Sequence, residues 1–298
     1  ATTNSGPAAK RGCIGLAKSP DLERWEVHPP FYAPHISGPM ECPDLFGWKG
    51  RRYLIFSEFT EGMQTHYRIA DSEGTSWRAP AFDTFNGQRF YAAKTAGDEG
   101  RRFAFGWIPT REGESENGKW QWGGHLAIPH ELKVDVDGSL LVQCPKETTE
   151  LLRFSQLTGE PPKAPLGVIG KWSLDGDRIR GERRDGLTYS ILPTIGGDFV
   201  LVGEISYEPN TFAFGLLIRT NADLSAGYMI KFEPARGRVV FDSFPRAGDA
   251  PTLVERPLPM APNRPMPFTL FIEKTIVEAF IDERIALSCR AYERHDAP

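Results

Sequence analysis

The chain has four cysteines in 298 residues, and no two form a Cys-x-x-Cys pair. That leaves no zinc-type spacing and no disulfide framework, and no other metal or cofactor motif is present. Cys13, Cys42, Cys144 and Cys289 lie far apart, so free thiols are expected, with one disulfide as the alternative. Unpaired thiols favour a reducing, cytoplasmic compartment. No apolar run approaches the length of a membrane-spanning helix, which argues against a membrane partner. No basic stripe stands out against the formal charge of −4, which argues against nucleic acid. The pairs Arg51-Arg52 and Arg101-Arg102 are short and flanked by apolar residues, as at charged hairpin turns. Nothing at the start reads as a signal peptide, an absence with little weight if the chain opens inside a structural unit.

Long amphipathic helical patterns are also missing. Short β-rich runs alternate with Gly, Pro, Asn and Asp turns about every ten residues, for which 30 Gly and 25 Pro are well suited. The fold class expected is all-β. A repeat refines it: Arg51-Arg52-Tyr53-Leu54-Ile55-Phe56 returns as Arg101-Arg102-Phe103-Ala104-Phe105-Gly106, an offset of 101 − 51 = 50. The stretch from Ala17 to Trp25 returns loosely from Ala70 to Trp77, offset by 70 − 17 = 53. Repeats of this length suggest four-stranded propeller blades. Residues 1–30 then read as half a blade, 40–82 as one and 88–150 as another. Two and a half blades do not close a ring, so an incomplete propeller is expected, its first blades lying upstream of this chain. We place the propeller part at 1–158, a linker at 159–167, and a β-sandwich at 168–298. The sandwich strands are expected at 199–202, 212–218, 228–232, 239–241, 268–272 and 277–281.

The repeat aligns Glu41 with Tyr91 and Asp44 with Lys94, placing all four at equivalent inner-strand positions that face one cavity. Glu41 opens a strand-like segment with the Cys42 thiol beside it, a partly dehydrated setting in which a carboxylic acid can serve as a proton donor. The string Glu41-Cys42-Pro43-Asp44-Leu45-Phe46 resembles the acid/base motif of glycoside hydrolase family 32, the invertases, levanases and inulinases. Phe90-Tyr91-Ala92-Ala93-Lys94-Thr95, after the Asn86-Gly87 turn, resembles a second family segment. Gly106-Trp107 through Trp122-Gly123 to Pro129-His130-Glu131-Leu132 resembles a third, with His130 where the family usually has Arg, and Glu273 stands where its sandwich usually has Asp.

The resemblance implies a five-bladed propeller followed by a β-sandwich, and cleavage of terminal β-fructosides with retention and without cofactor. It makes Glu41 the acid/base. Cys42 either tunes that proton or simply packs. Asp44 accepts from loop amides or touches sugar. Tyr91 orients Glu41 or contacts sugar, and Lys94 addresses hydroxyls or a carboxylate; the alternative for both is an aromatic core with a snorkelling lysine. Trp122 is expected at the pocket rim, Trp107 in the core, and Asp83 is a weaker contact in the loop before Phe90; Arg111–Glu114, in the loop between Trp107 and Trp122, either reaches substrate or only covers the cavity. A retaining glycosidase also needs a nucleophile about 5 Å from its acid. The family carries it in a W-M-N-D-P-N-G motif, with a further Asp in R-D-P, and neither string occurs in these residues. Rival readings are a propeller glycosidase acting on another furanoside such as arabinose, a carbohydrate-binding pseudoenzyme that keeps Tyr91, Lys94 and Trp122, and a β-rich interaction module.

Overall fold

The structure is a computed structural model that describes residues 1–60, 62–70, 76–110, 123–153, 167–175, 178–182, 185–191, 198–221, 223–246, 248–249 and 251–292. It is all-β, and among the described residues only α1 (Lys146–Arg153) is an α-helix. β1 (Ile14–Lys18) and β2 (Glu26–Tyr32) pair as a hairpin. β3 (Glu41–Trp48), β4 (Arg51–Glu58) and β5 (Gln64–Ala70) form an antiparallel three-stranded sheet. β6 (Tyr91–Gly97), β7 (Arg102–Pro109), β8 (Gly124–Leu126), β9 (His130–Val134) and β10 (Leu140–Gln143) form the next sheet, in the order β10-β9-β7-β6 with β8 added to β7.

The 50-residue repeat is visible as β3–β4 against β6–β7, but among the described residues the sheet of the first unit has three strands where four were expected. Among the described residues the backbone after β5 joins its ladder through isolated bridges, Ile69 to Arg78 and His66 to Thr84. Pro80 lies between them, with no N–H to give to a ladder. No sheet closes on itself among the described residues.

Beyond α1, β11 (Gly167–Ile169), β12 (Lys171–Asp175), β13 (Arg178–Glu182) and β14 (Tyr189–Ile191) pair as β11–β14 and β12–β13. Eight further strands follow: β15 (Phe199–Ile205), β16 (Phe214–Ile218), β17 (Gly227–Glu233), β18 (Arg238–Phe244), β19 (Val254–Pro257), β20 (Met266–Glu273), β21 (Ile276–Ile281) and β22 (Ile285–Arg290). They make two four-stranded antiparallel sheets, β15-β20-β21-β22 and β16-β17-β18-β19. All six strands expected in this half are present; β11 to β14, β19, β22 and α1 were not anticipated.

The two sheets share one apolar core, with Leu270, Ile272, Val277, Ala279 and Leu287 of one against Tyr228, Ile230, Phe232, Val239 and Phe241 of the other. Alternate side chains of the first sheet, Phe271, Phe280 and Ala286, point the other way and pack with Tyr53, Tyr67, Phe85 and Phe90. That sheet is therefore a middle layer with both faces covered, so β21 and β22 are buried along their length instead of alternating.

Polar groups trapped at this second contact are largely paired, the buried Arg256 Nε being an exception. Asn86, expected in a turn, is 3% exposed. Its Nδ2 donates to His130 Nε2 at 2.6 Å and to Ser288 Oγ at 2.8 Å, and its Oδ1 accepts from the amides of Gly87 at 2.5 Å and Ser288 at 3.0 Å. Ser288 Oγ donates onward to Glu278 Oε2, and the Ile128 amide donates to Glu278 Oε1, both at 2.9 Å. Arg256 donates to the Thr84 carbonyl at 2.6 Å and to its hydroxyl. Gly87 packs so closely that a Cβ there would lie 2.2 Å from Val254 Cγ1.

Burial pushes the Glu278 carboxyl up from 4.5 to about 7, and burial pushes His130 down from 6.5 to about 3. The folded protein thus holds the Glu278 proton more tightly than the unfolded chain, so this carboxyl loses stability as pH rises from about 4.5 to about 7. His130 has the opposite sign, losing stability as pH falls below about 6.5. We expect Glu278→Gln to remove the first dependence. Urea unfolding of both proteins should then diverge by up to ~3 kcal/mol between the two ends of that range. A difference that stays constant with pH would contradict the assignment.

Candidate active site

Glu41 and Tyr91 each open an inner strand, and each is followed by a residue with left-handed backbone: Cys42 at φ 49° and Ala92 at φ 54°. Each is also the start of a β-bulge. Glu41 pairs with Ser57 and Asp44 with Ile55, three residues against two, and Tyr91 and Lys94 pair with Trp107 and Phe105 in the same way. The extra residue shifts the pleat, so Glu41 and Asp44 share a side instead of facing apart, as do Tyr91 and Lys94.

The repeated geometry brings the two strand ends together. Tyr91 Oη donates to Glu41 Oε2 at 2.6 Å. Lys94 Nζ donates to the Pro43 carbonyl at 2.6 Å, a backbone acceptor and not the carboxylate considered from the sequence. Asp44 Oδ2 accepts from both the amide and the hydroxyl of Thr95, each at 2.7 Å. Four bonds thus stitch one repeat to the next, and charge-assisted bonds of this kind contribute roughly 1.5–3 kcal/mol each when shielded from water. Burial, followed by the Glu41 carboxylate, raises the Tyr91 phenol well above its ordinary value, keeping it a donor across neutral pH. Glu41 is more open than expected, exposed at the strand head, while Cys42 is half-buried beside it.

Trp107, expected in the core, is half-buried and stands edge-on to Tyr91 with centroids 6.3 Å apart. Asp83 is committed elsewhere: it accepts from His66 Nδ1 at 3.1 Å and Arg68 Nη1 at 2.5 Å. Burial would raise the Asp83 carboxyl, but His66 and Arg68 hold it below its ordinary value. Burial would likewise lower His66, yet Asp83 and Glu58 hold it above the ordinary range. Trp122, with Trp120 and Arg111–Glu114, lies outside the described residues.

The sequence reading overlooked the support beneath this pair. Ser57, opposite Glu41, shares a hydrogen bond with Thr65 Oγ1 at 3.0 Å, and that hydroxyl reaches the Phe90 carbonyl, also at 3.0 Å, immediately before Tyr91. Glu58, buried, accepts from the amide and hydroxyl of Thr60 and lies near enough to add to the upward pressure on Tyr91. Alternation along β4 from Ile55 would have pointed to Ser57; its link to Thr65 needed the β4–β5 register. All four cysteines are free, and no cluster of His, Cys, Asp or Glu among the described residues could hold a metal ion.

Comparison with known proteins places this region first among the glycosyl hydrolases, as a class. The particular family whose model matches is 32: residues 2–145 fit the model described as Glycosyl hydrolases family 32 N-terminal domain. A cell wall isozyme of beta-fructofuranosidase from Zea mays is 28% identical over 171 residues, covering 48% of this chain and 29% of that protein. A sucrose-6-phosphate hydrolase from Vibrio alginolyticus is 29% identical over 168 residues, covering 50% of this chain and 34% of that one. The match thus spans about a third of these curated relatives. The exo-inulinase from Aspergillus awamori superposes with a TM-score of 0.62 at 16% identity, over 97% of this chain and 59% of its own, a likeness of fold.

The left-handed backbone at position 92 carries a cost that glycine avoids. Ala92→Gly is expected to stabilise the protein by about 0.5–1 kcal/mol, and Ala92→Val to destabilise it by more than that. Urea denaturation midpoints in the reverse order would show that residue 92 is not left-handed.

Proposed function

We propose that this chain forms part of a glycosidase that cleaves terminal β-fructofuranosides of the sucrose, inulin or levan type with retention of configuration. Glu41 protonates the departing glycosidic oxygen and then takes a proton from the attacking water. The observation that carries this reading is the 2.6 Å bond from Tyr91 to Glu41, inside the family-matched residues and at the head of two repeats with the same bulge. Tyr91 fixes the orientation of the carboxylate, and Trp107 backs the phenol. Lys94, exposed, has three N–H donors of which Pro43 takes one, leaving donors for sugar hydroxyls. Asp44 works through Thr95 to hold the strand heads together, and Asp83 works through His66 and Arg68 without touching sugar. Cys42 packs at the bulge.

The nucleophile is assigned to residues beyond the 298, because the motifs that carry it in the family are not among them. On this reading the strand units of residues 1–158 belong to a five-bladed propeller, 159–167 is a linker, and 168–298 is a β-sandwich. The all-β order of sheets and the fold likeness to the exo-inulinase support it. No cofactor enters the mechanism, and the partner is the fructoside itself.

Fructose release from sucrose and inulin tests the assignment, with the natural-length protein and the 298-residue chain side by side. Glu41→Gln in the natural-length protein should lower kcat by ~10²–10⁴-fold, as for loss of a general acid. Tyr91→Phe should lower kcat by about tenfold with little change in KM, the pattern of an interaction that matters in the transition state. The 298-residue chain alone should release none. Fructoside binding without turnover by the natural-length protein would replace this reading with a binding protein on the same scaffold.

A further inference from the structure

Three residues lie in one row across the sheet β3-β4-β5. Glu41 of β3 pairs with Ser57 of β4, and Ser57 pairs in turn with Thr65 of β5. Cross-strand partners present their side chains to the same face, so the carboxyl and the two hydroxyls stand side by side. Ser57 and Thr65 are buried, while Glu41 opens to solvent at the far end. The row is about 10 Å long, two strand spacings. β6 of the next repeat lies against all three strands.

Two successive residues of that repeat span the row from end to end. At the β5 end Thr65 Oγ1 donates to the Phe90 carbonyl at 3.0 Å, and at the β3 end Tyr91 Oη donates to Glu41 Oε2 at 2.6 Å. The order of hydrogens follows. A carbonyl only accepts, so the single hydroxyl hydrogen of Thr65 is committed to Phe90, and Ser57 is the donor in its 3.0 Å bond with Thr65. The path from Ser57 through Thr65, Phe90 and Tyr91 ends on Glu41, the cross-strand partner of Ser57, and the β3–β4 ladder closes the ring. Thr65 is the member on which Tyr91 depends most. Phe90 precedes β6, so a side chain holds its carbonyl where a residue inside the strand would use the ladder. Beyond Tyr91 the pairing is interrupted too: Tyr91 pairs with Trp107 and the register resumes at Lys94, past the left-handed Ala92. Tyr91 therefore sits between a bulge and a carbonyl that one hydroxyl holds.

We propose that Thr65 is a positioning residue for the Glu41 centre: its hydroxyl sets the Phe90 carbonyl and, through it, the reach of the Tyr91 phenol to the carboxylate. The kinetic consequence rests on the hydrolase reading above, and the structural one on the hydrogen bonds alone. Valine has nearly the shape of threonine without the hydroxyl. Thr65→Val thus takes the donor from the buried Phe90 carbonyl and the acceptor from the buried Ser57 hydroxyl. The Phe90–Tyr91 peptide can then turn, and the phenol leaves its place over the carboxylate. Misplacement of a group near the reacting atoms lowers the rate of the chemical step more than it weakens binding.

Fructose release by the natural-length protein and NMR of the same protein with isotope-labelled tyrosine test this together. Thr65→Val should lower kcat by about three- to tenfold with little change in KM, and Thr65→Ser, which keeps the hydroxyl, should recover most of the loss. Thr65→Ala, which also lacks the hydroxyl, should behave as Thr65→Val. In a Tyr91→Phe background Thr65→Val should lower kcat by no more than about twofold, because the phenol through which it acts is gone. A hydroxyl that only stabilised the fold would give the same factor in both backgrounds. The Tyr91 ring resonance, assigned as the one absent from Tyr91→Phe, should move in Glu41→Gln and in Thr65→Val and stay in place in Thr65→Ser. Equal factors in the two backgrounds, a loss confined to KM, or a Tyr91 resonance that Thr65→Val leaves in place would each overturn the proposal. If the wild type releases no fructose, the hydrolase reading falls by itself, and the resonance decides whether Thr65 sets the phenol.

Discussion

The arrangement of the candidate site runs back to one buried amide. Asn86 uses both N–H bonds and both lone pairs of its side chain: two donors spent on His130 and Ser288, and two acceptor positions filled by backbone N–H groups. A side chain satisfied in this way cannot rotate without stranding buried partners, each a loss of about 1–3 kcal/mol. Its backbone begins the short segment that ends at Phe90 and Tyr91. The phenol that meets Glu41 is therefore located from behind, by the C-terminal half of the protein, as much as from its own strand.

The same logic explains the polar groups around Asn86. His130 takes the place of a residue that the related pattern usually fills with arginine, and it stands in full burial as a neutral ring, stacked on Phe90 at 4.3 Å. Arg256 brings the permanent charge into the contact instead, held by the carbonyl and hydroxyl of Thr84. Glu278 closes the chain of bonds from the other side. The interface is held by a connected polar network inside an apolar surround, which is specific because a partly satisfied version would be costly.

Local pattern was enough to read the strand heads. The Glu41 and Tyr91 segments stand out by composition, and their spacing of 50 residues predicted that they would occupy equivalent positions, as the twin bulges confirm. The six core strands of the C-terminal half were equally visible as apolar runs. What escaped notice depends on contacts between distant residues. Ser288 and Asn86 are 202 positions apart, and neither is unusual in its own neighbourhood. β22 escaped because a strand buried on both faces lacks alternation, and Asp83 looked available because its partners His66 and Arg68 belong to another strand. Asn86-Gly87 has the composition of an exposed turn, and only the packed structure shows that glycine is there for clearance.

That clearance has a consequence for how such proteins can change. With a Cβ at position 87 only 2.2 Å from Val254, the two halves meet along a surface with no slack at this point. They are not freely exchangeable modules. A C-terminal half transplanted from a relative would need to bring a side chain no larger than valine to this spot, together with its own counterpart of Arg256. Recombination between members of such a family should thus preserve the loop at 84–87 and the strands β19 and β22 as a single inherited block, although they are far apart in the chain.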